Sequence, residues 1–360
     1  MNAPDIRLLG LGGCGSRLAE AAARATGGHM SATVVDSDGR VSAVASAANP
    51  VVLGGVHFRL LGSGGDSAAA AMAVEEDRLP LVKAIDGAAL LVVVAGLGGG
   101  TGSGALPAVL RLAASRSVPT LVFTIAPFRI EGVERLKSAA AAVRALEGLG
   151  TVRVRLSNDD LVADAPECAT LPEAMARADS VAVAALSLIW SLCARPAYLR
   201  LDPATLLETL SRGRGDAHFA FARAEGADRA AVVAHRLLEG PGPALRVHAD
   251  DIRGALVGVT GGTDLRLAEV GAAAGAVSGI LPTGTPVRLS VALDAVREGA
   301  LEVAVLAFRD WAESSATGDE GAGSTSIHAP DRFAGVAATP IGGENLDDPT
   351  WLRRNLRLAL

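Results

Sequence analysis

The sequence predicts an α/β protein: a doubly wound parallel sheet, then a long central helix, then a smaller α+β domain and a disordered C-terminal tail. Strand and helix patterns alternate over the first half of the chain, as they do in successive βαβ units. Glycine clusters occupy residues 10–16, 62–66 and 98–104, and each follows a predicted strand. Because parallel strands end at one edge of their sheet, we expect these clusters to lie together there.

The composition is that of a folded protein of about two domains. Half of the 360 residues are hydrophobic but only 3% are aromatic, so the predicted cores consist of Ala, Val and Leu. The net charge of −6 argues against nucleic-acid binding, which needs a basic surface. The cysteines, Cys14, Cys168 and Cys193, have no paired spacing, so we expect reduced thiols in the cytosol and no metal cluster. The sequence shows no secretory signal, and its apolar runs predict no transmembrane segment.

The first βαβ unit comprises a strand over residues 6–9, a helix over 17–25 and a strand over 32–35. Its glycine-rich turn, residues 10–15, is followed about 20 residues later by Asp36, as in dinucleotide-binding Rossmann domains. An NAD-dependent oxidoreductase is therefore an alternative that this unit alone leaves open.

The third glycine cluster is the strongest indication of a phosphate site. A strand over residues 90–95 runs into residues 98–104, and a helix follows over 105–114. A glycine loop before a helix N-terminus presents backbone N–H groups to an anion. The alternative is a flexible connector. The only lysines, Lys83 and Lys137, do not follow a glycine run, which excludes a P-loop.

The other elements complete the pattern. Residues 57–61 are predicted as a strand, and residues 71–85 as one helix whose charged run, residues 75–78, faces solvent. Further strands are predicted over 120–125, 151–156, 255–259, 287–291 and 301–308. Further helices are predicted over 172–194, 203–210, 228–238 and 265–280.

Residues 98–104, Gly-Gly-Gly-Thr-Gly-Ser-Gly, resemble the signature of the tubulin and FtsZ family. The order of other motifs agrees over nearly the whole chain, including Asp36-Ser37-Asp38, Pro127-Phe128, Asn158-Asp159 and residues 261–267. The resemblance implies a cytoplasmic GTPase of bacterial cell division that polymerises head to tail and is recruited to the division site at the inner membrane face. It divides the chain into a GTP-binding domain (1–171), a central helix (172–195), a second domain (196–309), a linker (310–344) and a docking peptide (345–360).

The resemblance also implies a role for each matching residue, with GTP or GDP as the ligand and Mg²⁺ as its counter-ion. The residues implied around the phosphates are Gly12, Gly13, Gly15, Gly62, Gly64, Gly99, Gly100, Thr101 and Gly102. Glu131 is implied at the ribose, Arg135 at the phosphate or the ribose, and Asn158 and Asp179 at the guanine edge. An exposed helix-face acid is the alternative for Asp179.

Three positions at this site depart from the family pattern. Met175 stands where the family usually has an aromatic ring on the base, and Cys14 and Arg17 replace a glycine and an asparagine. Arg17 either contacts phosphate or covers its helix with the aliphatic stem.

In the family, a loop of the next subunit with the pattern Asn-x-Asp-x-x-Asp completes the hydrolytic site. Here Arg200 and Thr205 replace the asparagine and the second aspartate, and Asp202 is kept. Either Asp202 acts with Glu208 and with Arg200 as a phosphate contact, giving slow hydrolysis, or the protein is a filament subunit that does not hydrolyse GTP or co-assembles with one that does.

The C-terminal end is expected to bind a partner. Residues 312–345 lack periodicity and predict a disordered linker. Residues 346–355 contain Trp351 beside Arg353 and Arg354, and they resemble the peptide that docks to membrane-tethering division adaptors. Leu352, Leu356 and Leu360 at helical spacing favour a short amphipathic membrane helix as an alternative.

Overall fold

The computed structural model describes residues 4–40, 48–163, 165–166, 168–193, 198–212, 215–240, 242–310, 340–341 and 344–345. Residues 1–314 form one compact unit, and residues 315–360 form another. In the second unit the strands Pro340–Ile341 and Glu344–Asn345 pair antiparallel. The other residues of the predicted linker beyond 310, and residues 346–360 of the predicted docking peptide, lie outside the described residues.

Ten strands of the first unit form a single sheet. Their spatial order is β3-β2-β1-β4-β5-β6-β7-β10-β8-β9. Neighbours from β3 to β7 are parallel, β10 is antiparallel to both β7 and β8, and β9 is parallel to β8. The strands are β1 (Ile6–Leu11), β2 (Ser31–Asp36), β3 (Ala48–Val52), β4 (Leu90–Gly96), β5 (Thr120–Ala126), β6 (Val152–Ser157), β7 (Gly215–Glu225), β8 (Gly254–Gly261), β9 (Val287–Leu293) and β10 (Ala300–Phe308).

Helices cover both faces of this sheet. They are α1 (Gly12–Ala25), α2 (Ser67–Glu76), α3 (Arg78–Ile85), α4 (Gly100–Ser115), α5 (Val133–Ala145), α6 (Asn158–Leu161), α7 (Leu171–Cys193), α8 (Pro203–Arg212), α9 (Arg229–Glu239) and α10 (Leu267–Ile280).

Strand β4 shows why the fold is doubly wound. Leu90, Val92 and Val94 are buried in the core beneath α1, α7 and α8. The intervening Leu91 and Val93 are buried in a second core beneath α2 to α5. A strand that is apolar on both faces requires helices on both faces, so the predicted doubly wound sheet is confirmed.

The two predicted domains share this continuous sheet within one compact unit. β6 and β7 are joined over three residue pairs, and Asp216 of β7 pairs with Arg153 (Nε to Oδ1 3.2 Å) and Arg155 (Nη2 to Oδ2 2.7 Å) of β6. Helix α7 packs in a core that also includes Leu256 of β8 and Leu306 of β10. It therefore stabilises the junction between the two halves.

The segment before the second glycine cluster differs from its prediction. Residues 57–60 form turns rather than a strand, because Arg59 and Leu60 have φ of 49° and 63°, outside the extended region. Leu61 forms an isolated antiparallel bridge with Asp38. The second glycine cluster therefore follows a turn, whereas the other two follow strands as predicted.

The predicted helix over residues 71–85 is two helices, α2 and α3. Pro80 has no N–H to donate to the carbonyl of Glu76, so the hydrogen-bond ladder of α2 cannot continue through it. The charged residues at the break include Glu75, Glu76 and Arg78, which are exposed as predicted.

Two further differences concern β7 and the glycine clusters. Strand β7 was not predicted, because its alanines are typical of a helix and its strand conformation depends on pairing with the distant β10.

Helices α1 and α4 begin at Gly12 and Gly100, inside the glycine clusters, rather than after them. The backbone N–H groups of these glycines thus belong to helix N-termini.

Helix α7 is the one helix in the described part of the chain that is long and apolar enough to cross a membrane, by length and composition alone. The apolar runs of the sequence predict no transmembrane segment. In the fold, Ala185, Leu186, Ile189 and Leu192 of this helix are buried in the core that lies beneath α1 and α8.

The second half contains a buried ion-pair cluster around Arg229. The Arg229 side chain is 4% exposed, and it donates to Glu269 of α10 (2.7 and 2.9 Å) and to Asp264 (2.6 Å). Hydrogen bonds from this guanidinium lower the pKa of Glu269 to about 2. The cluster fixes α9 to α10 and to the loop after β8.

This cluster predicts an acid dependence of stability. The pKa of Glu269 is lowered in the folded state from an ordinary value of 4.5, so its contribution is complete above pH 4.5 and is lost as the pH falls towards 2. The free energy of unfolding, measured by urea denaturation between these pH values, should fall more steeply in the wild type than in Glu269→Gln. Parallel curves for the two proteins would contradict this role of the cluster.

Candidate functional site

An open cavity of about 620 Å³ lies at the edge of the sheet where β1, β4, β5 and β6 end. Its size is that of a small-ligand site. The residues that line it are Gly12, Gly13, Cys14, Arg17, Gly96, Leu97, Gly99, Gly100, Thr101, Gly102, Ile125, Pro127, Phe128, Glu131, Arg135, Asn158, Leu171 and Met175.

Two helix N-termini meet at this cavity. α1 begins at Gly12 and α4 at Gly100, and neither helix has a side-chain N-cap or an acidic residue in its first turn. The first turns are in contact: a Cβ added to Gly12 would lie 3.0 Å from the Gly102 nitrogen. Free N–H groups at the positive ends of two helix dipoles favour an anionic ligand.

Two glycines at this edge expose their backbone to open space. A Cβ added to Gly99 would meet nothing within 4 Å, and one on Gly13 would meet only Asp36 Oδ2 at 3.8 Å. Both also line the cavity. The absence of a side chain at these positions permits close approach of a ligand to the backbone.

Two other glycines allow the fold itself to pack closely. A Cβ on Gly15 would collide with the carbonyl oxygen of Val94, and a Cβ on Gly102 would collide with that of Gly96. These glycines hold the first turns of α1 and α4 directly against β4. Their role is therefore structural, whichever ligand the cavity binds.

A chain of hydroxyl groups connects the second glycine cluster to the third. Thr101 and Ser37 share a hydrogen bond of 2.6 Å between their side-chain oxygens, and the Ser63 N–H donates to Ser37 Oγ (2.9 Å). Ser37 is fully buried at the end of β2. The loop of Gly62 and Gly64 is thereby attached to the start of α4, although neither glycine lines the cavity.

The neighbouring Asp36 does not line the cavity. Its carboxylate accepts the N–H groups of Ser37 (2.8 Å) and Asp38 (3.4 Å). Burial raises its pKa, against the lowering effect of these hydrogen bonds. Asp36 therefore stabilises the turn after β2. In a dinucleotide-binding enzyme the corresponding carboxylate would bind the ribose instead.

The loop after β5 supplies one wall of the cavity. Glu131 accepts the Phe128 N–H (2.9 Å) and pairs with Arg135 Nη1 (2.5 Å). The Arg129 N–H donates to Asp159 Oδ2 (3.1 Å), which ties this loop to the segment after β6. Glu131 and Arg135 thus both line the cavity and form an ion pair with each other.

Helices α1, α6 and α7 also contribute side chains to the cavity lining. Met175 lines the cavity together with Asn158, and Arg17 forms an ion pair with Asp179. Burial raises the pKa of the Cys14 thiol, while the nearby Arg17 lowers it. Asp179, predicted at a guanine edge, is paired with Arg17 and is not among the lining residues.

The structure therefore brings together all the predicted ligand residues except Gly15, Gly62, Gly64 and Asp179. Sequence analysis did not assign roles to Ser37 or Phe128. Both follow strand ends, Ser37 after β2 and Phe128 after β5, and that position is the signal that could have identified them.

The predicted hydrolytic residues lie elsewhere in the chain. Asp202 accepts the N–H and hydroxyl of Thr205 (3.1 and 3.2 Å) at the start of α8. Arg200, Asp202 and Glu208 are not among the residues that line the cavity.

The C-terminal end of α8 packs at the starts of β5 and β6. Its residue Leu210 shares a pocket with residues at the starts of β5 and β6, namely Pro119, Thr120 and Thr151. The cavity lies where the same two strands end. The C-terminal end of α8 and the cavity therefore lie at opposite ends of these two strands.

Among the described residues, no group of three or more His, Cys, Asp or Glu side chains is placed to hold a metal ion. Thr101 contributes a hydroxyl to the cavity, and Glu131 contributes a carboxylate that is engaged by Arg135. Cys14 and Cys168 are free thiols.

Two family models match the chain. The model of the Tubulin/FtsZ family, GTPase domain, matches residues 5–165, and that of the FtsZ family, C-terminal domain, matches residues 215–308. The cell division protein FtsZ of Caulobacter vibrioides is 28% identical over 341 residues, 95% of this chain and 65% of that protein. That of Rickettsia conorii is 29% identical over 75% of this chain and 60% of its own length. The chain thus spans less than two thirds of these relatives.

Solved structures show the same fold. An empty FtsZ dimer of M. jannaschii has a TM-score of 0.77 at 24% identity, covering 86% of this chain and 88% of that one. CetZ2 from Haloferax volcanii, a GTPγS-bound protofilament, has a TM-score of 0.67 at 26% identity, covering 85% of this chain and 92% of that one.

The two kinds of glycine predict different effects of an added methyl group. Gly102→Ala should lower the free energy of unfolding by about 2 kcal/mol, because the Cβ meets the Gly96 carbonyl. Gly99→Ala should change it by less than about 0.5 kcal/mol, because the Cβ enters open space. Thermal and urea denaturation of the two variants measure the difference, and comparable losses would contradict the distinction.

Proposed function

The chain is a divergent member of the tubulin/FtsZ family, and on that premise we propose that it is a cytoskeletal GTPase that polymerises head to tail for cell division. The observation that carries this proposal is the pair of uncapped helix N-termini at the cavity. A triphosphate is a ligand whose charge suits them, and the described lining residues include no lysine that would take over this role.

We place the phosphates at the start of α1 and α4 and the base towards α7. Gly13 and Gly99 leave room for phosphate oxygens, and Thr101 can donate its hydroxyl. The ribose would meet the ion pair of the loop after β5. The base would meet Asn158 and pack against Met175 in place of a stacked ring.

Mg²⁺ is part of this proposal as a companion of the nucleotide. The ion usually keeps several waters and binds phosphates with one or two protein oxygens, so it does not require a cluster of acids. In this proposal Thr101, which lines the cavity, would contribute such an oxygen. The ion would neutralise phosphate charge.

The position of α8 supports hydrolysis between subunits. Because Leu210 of α8 lies where β5 and β6 start, and Asp202 does not line the cavity, we infer that Asp202 acts on the nucleotide of another subunit. In a head-to-tail polymer, the edge where these strands start in one subunit faces the cavity of the next. Asp202 would position the attacking water, with Glu208 and Arg200 beside it.

A filament protein that binds GTP without hydrolysing it, or that co-assembles with another subunit, is the second candidate. It is favoured by one observation: Thr205 stands where a second carboxylate would act, and its hydroxyl donates to Asp202. An NAD-dependent oxidoreductase is not favoured, because Asp36 is engaged in its own turn.

The decisive experiment combines light scattering with phosphate release during GTP titration of the purified chain. Polymer with phosphate release supports the GTPase, and polymer without release supports the second candidate. Binding of NAD with no GTP binding would contradict both.

The role of Asp202 can be tested without disturbing its helix. Asp202→Asn keeps an N-cap for α8 but removes the charge, so phosphate release should fall roughly a hundredfold while GTP affinity is unchanged. Thr205→Asp should raise the rate, because it adds the second carboxylate. The control is Glu225→Gln, which removes an exposed acid paired with Arg223 in the same half of the chain and should leave the rate unchanged.

A mixture of variants shows whether Asp202 acts on its neighbour's nucleotide. Gly99→Glu should fold, because the position is open, but should exclude phosphate. Mixing it with Asp202→Asn should restore part of the phosphate release that neither variant has alone. No recovery in the mixture would overturn action between subunits.

We also propose that residues 346–355 bind a membrane-tethering adaptor and thereby recruit filaments to the division site. Trp351 with the arginines beside it supports this, and the alternative is direct membrane binding by residues 351–360.

Deleting residues 346–360 should leave GTP-dependent light scattering unchanged and abolish recruitment to the division site, observed by fluorescence microscopy of tagged protein. Sedimentation with vesicles of anionic lipid distinguishes the two mechanisms. Binding of the intact chain to vesicles alone would favour the membrane helix, and recruitment of the truncated chain would contradict both.

A further inference from the structure

The ion pair between Arg17 and Asp179 joins α1 to α7 at the end of the cavity assigned above to the base. Arg17 lines the cavity, whereas Asp179 does not. Asp179 follows Met175 by one helical turn, so it lies on the same side of α7 as that lining residue. The carboxylate thus lies one turn from a lining residue, and its Oδ2 is paired with a cation.

The ion pair determines which hydrogen-bonding groups this end of the cavity offers to a bound base. A carboxylate only accepts hydrogen bonds, and a guanidinium only donates them. Guanine has donors at N1 and N2 and acceptors at O6 and N7, and adenine has a donor amino group in place of O6. With Asp179 held by Arg17, this end of the cavity presents donors to the base.

The neighbouring lining residues do not replace the missing acceptor with another free carboxylate. Glu131 is engaged by Arg135 and by the Phe128 N–H. Cys14 is a thiol whose pKa is raised by burial. Among the described residues that line this end, Asn158 is the remaining side chain with an acceptor oxygen.

We propose, on the premise that the cavity binds a nucleoside triphosphate as inferred above, that Arg17 determines base selectivity. It withholds the Asp179 carboxylate from the N1–H and 2-amino edge of guanine and offers donors that suit O6 and N7. The 2-amino group is then not recognised, so inosine triphosphate, which lacks it, binds as well as GTP. ATP binds poorly because its 6-amino group meets donors.

The test is the affinity of the full chain for GTP, inosine triphosphate and ATP, measured by competition against a fluorescent GTP analogue. The wild type should bind GTP and inosine triphosphate within about threefold of each other. Arg17→Gln frees Asp179 and should favour GTP over inosine triphosphate by about tenfold, as expected for a recovered hydrogen bond to a charged group.

Three further variants distinguish selectivity from stability. Arg24→Gln, on the same helix, removes a similar pair with Glu20 (2.9 Å) outside the cavity and should leave the affinity ratio at its wild-type value. Adding Asp179→Asn to Arg17→Gln should abolish the gained preference, because the carboxylate is its source. Arg17→Lys keeps the ion pair and should keep the wild-type ratio.

A wild type that prefers GTP over inosine triphosphate by about tenfold, with the ratio unchanged in Arg17→Gln, would overturn this inference and leave the GTPase proposal intact. A loss of affinity in Arg17→Gln that is equal for GTP and inosine triphosphate would assign Arg17 a purely structural role and so contradict the inference. Failure of all three triphosphates to bind would overturn the GTPase proposal as well.

Discussion

The close contact between the first turns of α1 and α4 governs the arrangement of the site. Gly15 lies against the carbonyl of Val94, and Gly102 against that of Gly96, at distances that exclude a side chain. These contacts place the first turns of both helices directly against β4. Two uncapped N-termini consequently face the same space, and their N–H groups need an anion or water as partners.

The parallel sheet gives the molecule two chemically different ends. The cavity and the glycine loops lie where the parallel strands end, and the C-terminal end of α8 packs where β5 and β6 start. Because the strands between them are parallel, one chain holds these two edges apart. A reaction that uses both edges therefore requires a second subunit, and a contact between unlike ends repeats along a filament when its rotation does not close a ring. In the proposed function, assembly and hydrolysis are coupled by this topology.

Polar and charged side chains connect the neighbouring loops, strands and helices to one another. The hydroxyl groups of Ser37 and Thr101 tie the second glycine cluster to α4, and Asp216 ties β6 to β7 through two arginines. Arg17 connects α1 to α7 through its ion pair with Asp179. That pair lies beside the cavity, so its chemistry bears on ligand recognition as well as on how the helices are held.

Local patterns of apolar residues and glycine were sufficient to predict the doubly wound sheet, most of the helices and the glycine clusters of the site. Which strands pair with one another, and which side chains form ion pairs, is visible only in the folded chain. Strand β7 exists because it pairs with β10, and Asp179 is withdrawn from the cavity because Arg17, far away in sequence, folds next to it. Contacts of this kind depend on the packing of distant segments, and a local pattern contains no information about them.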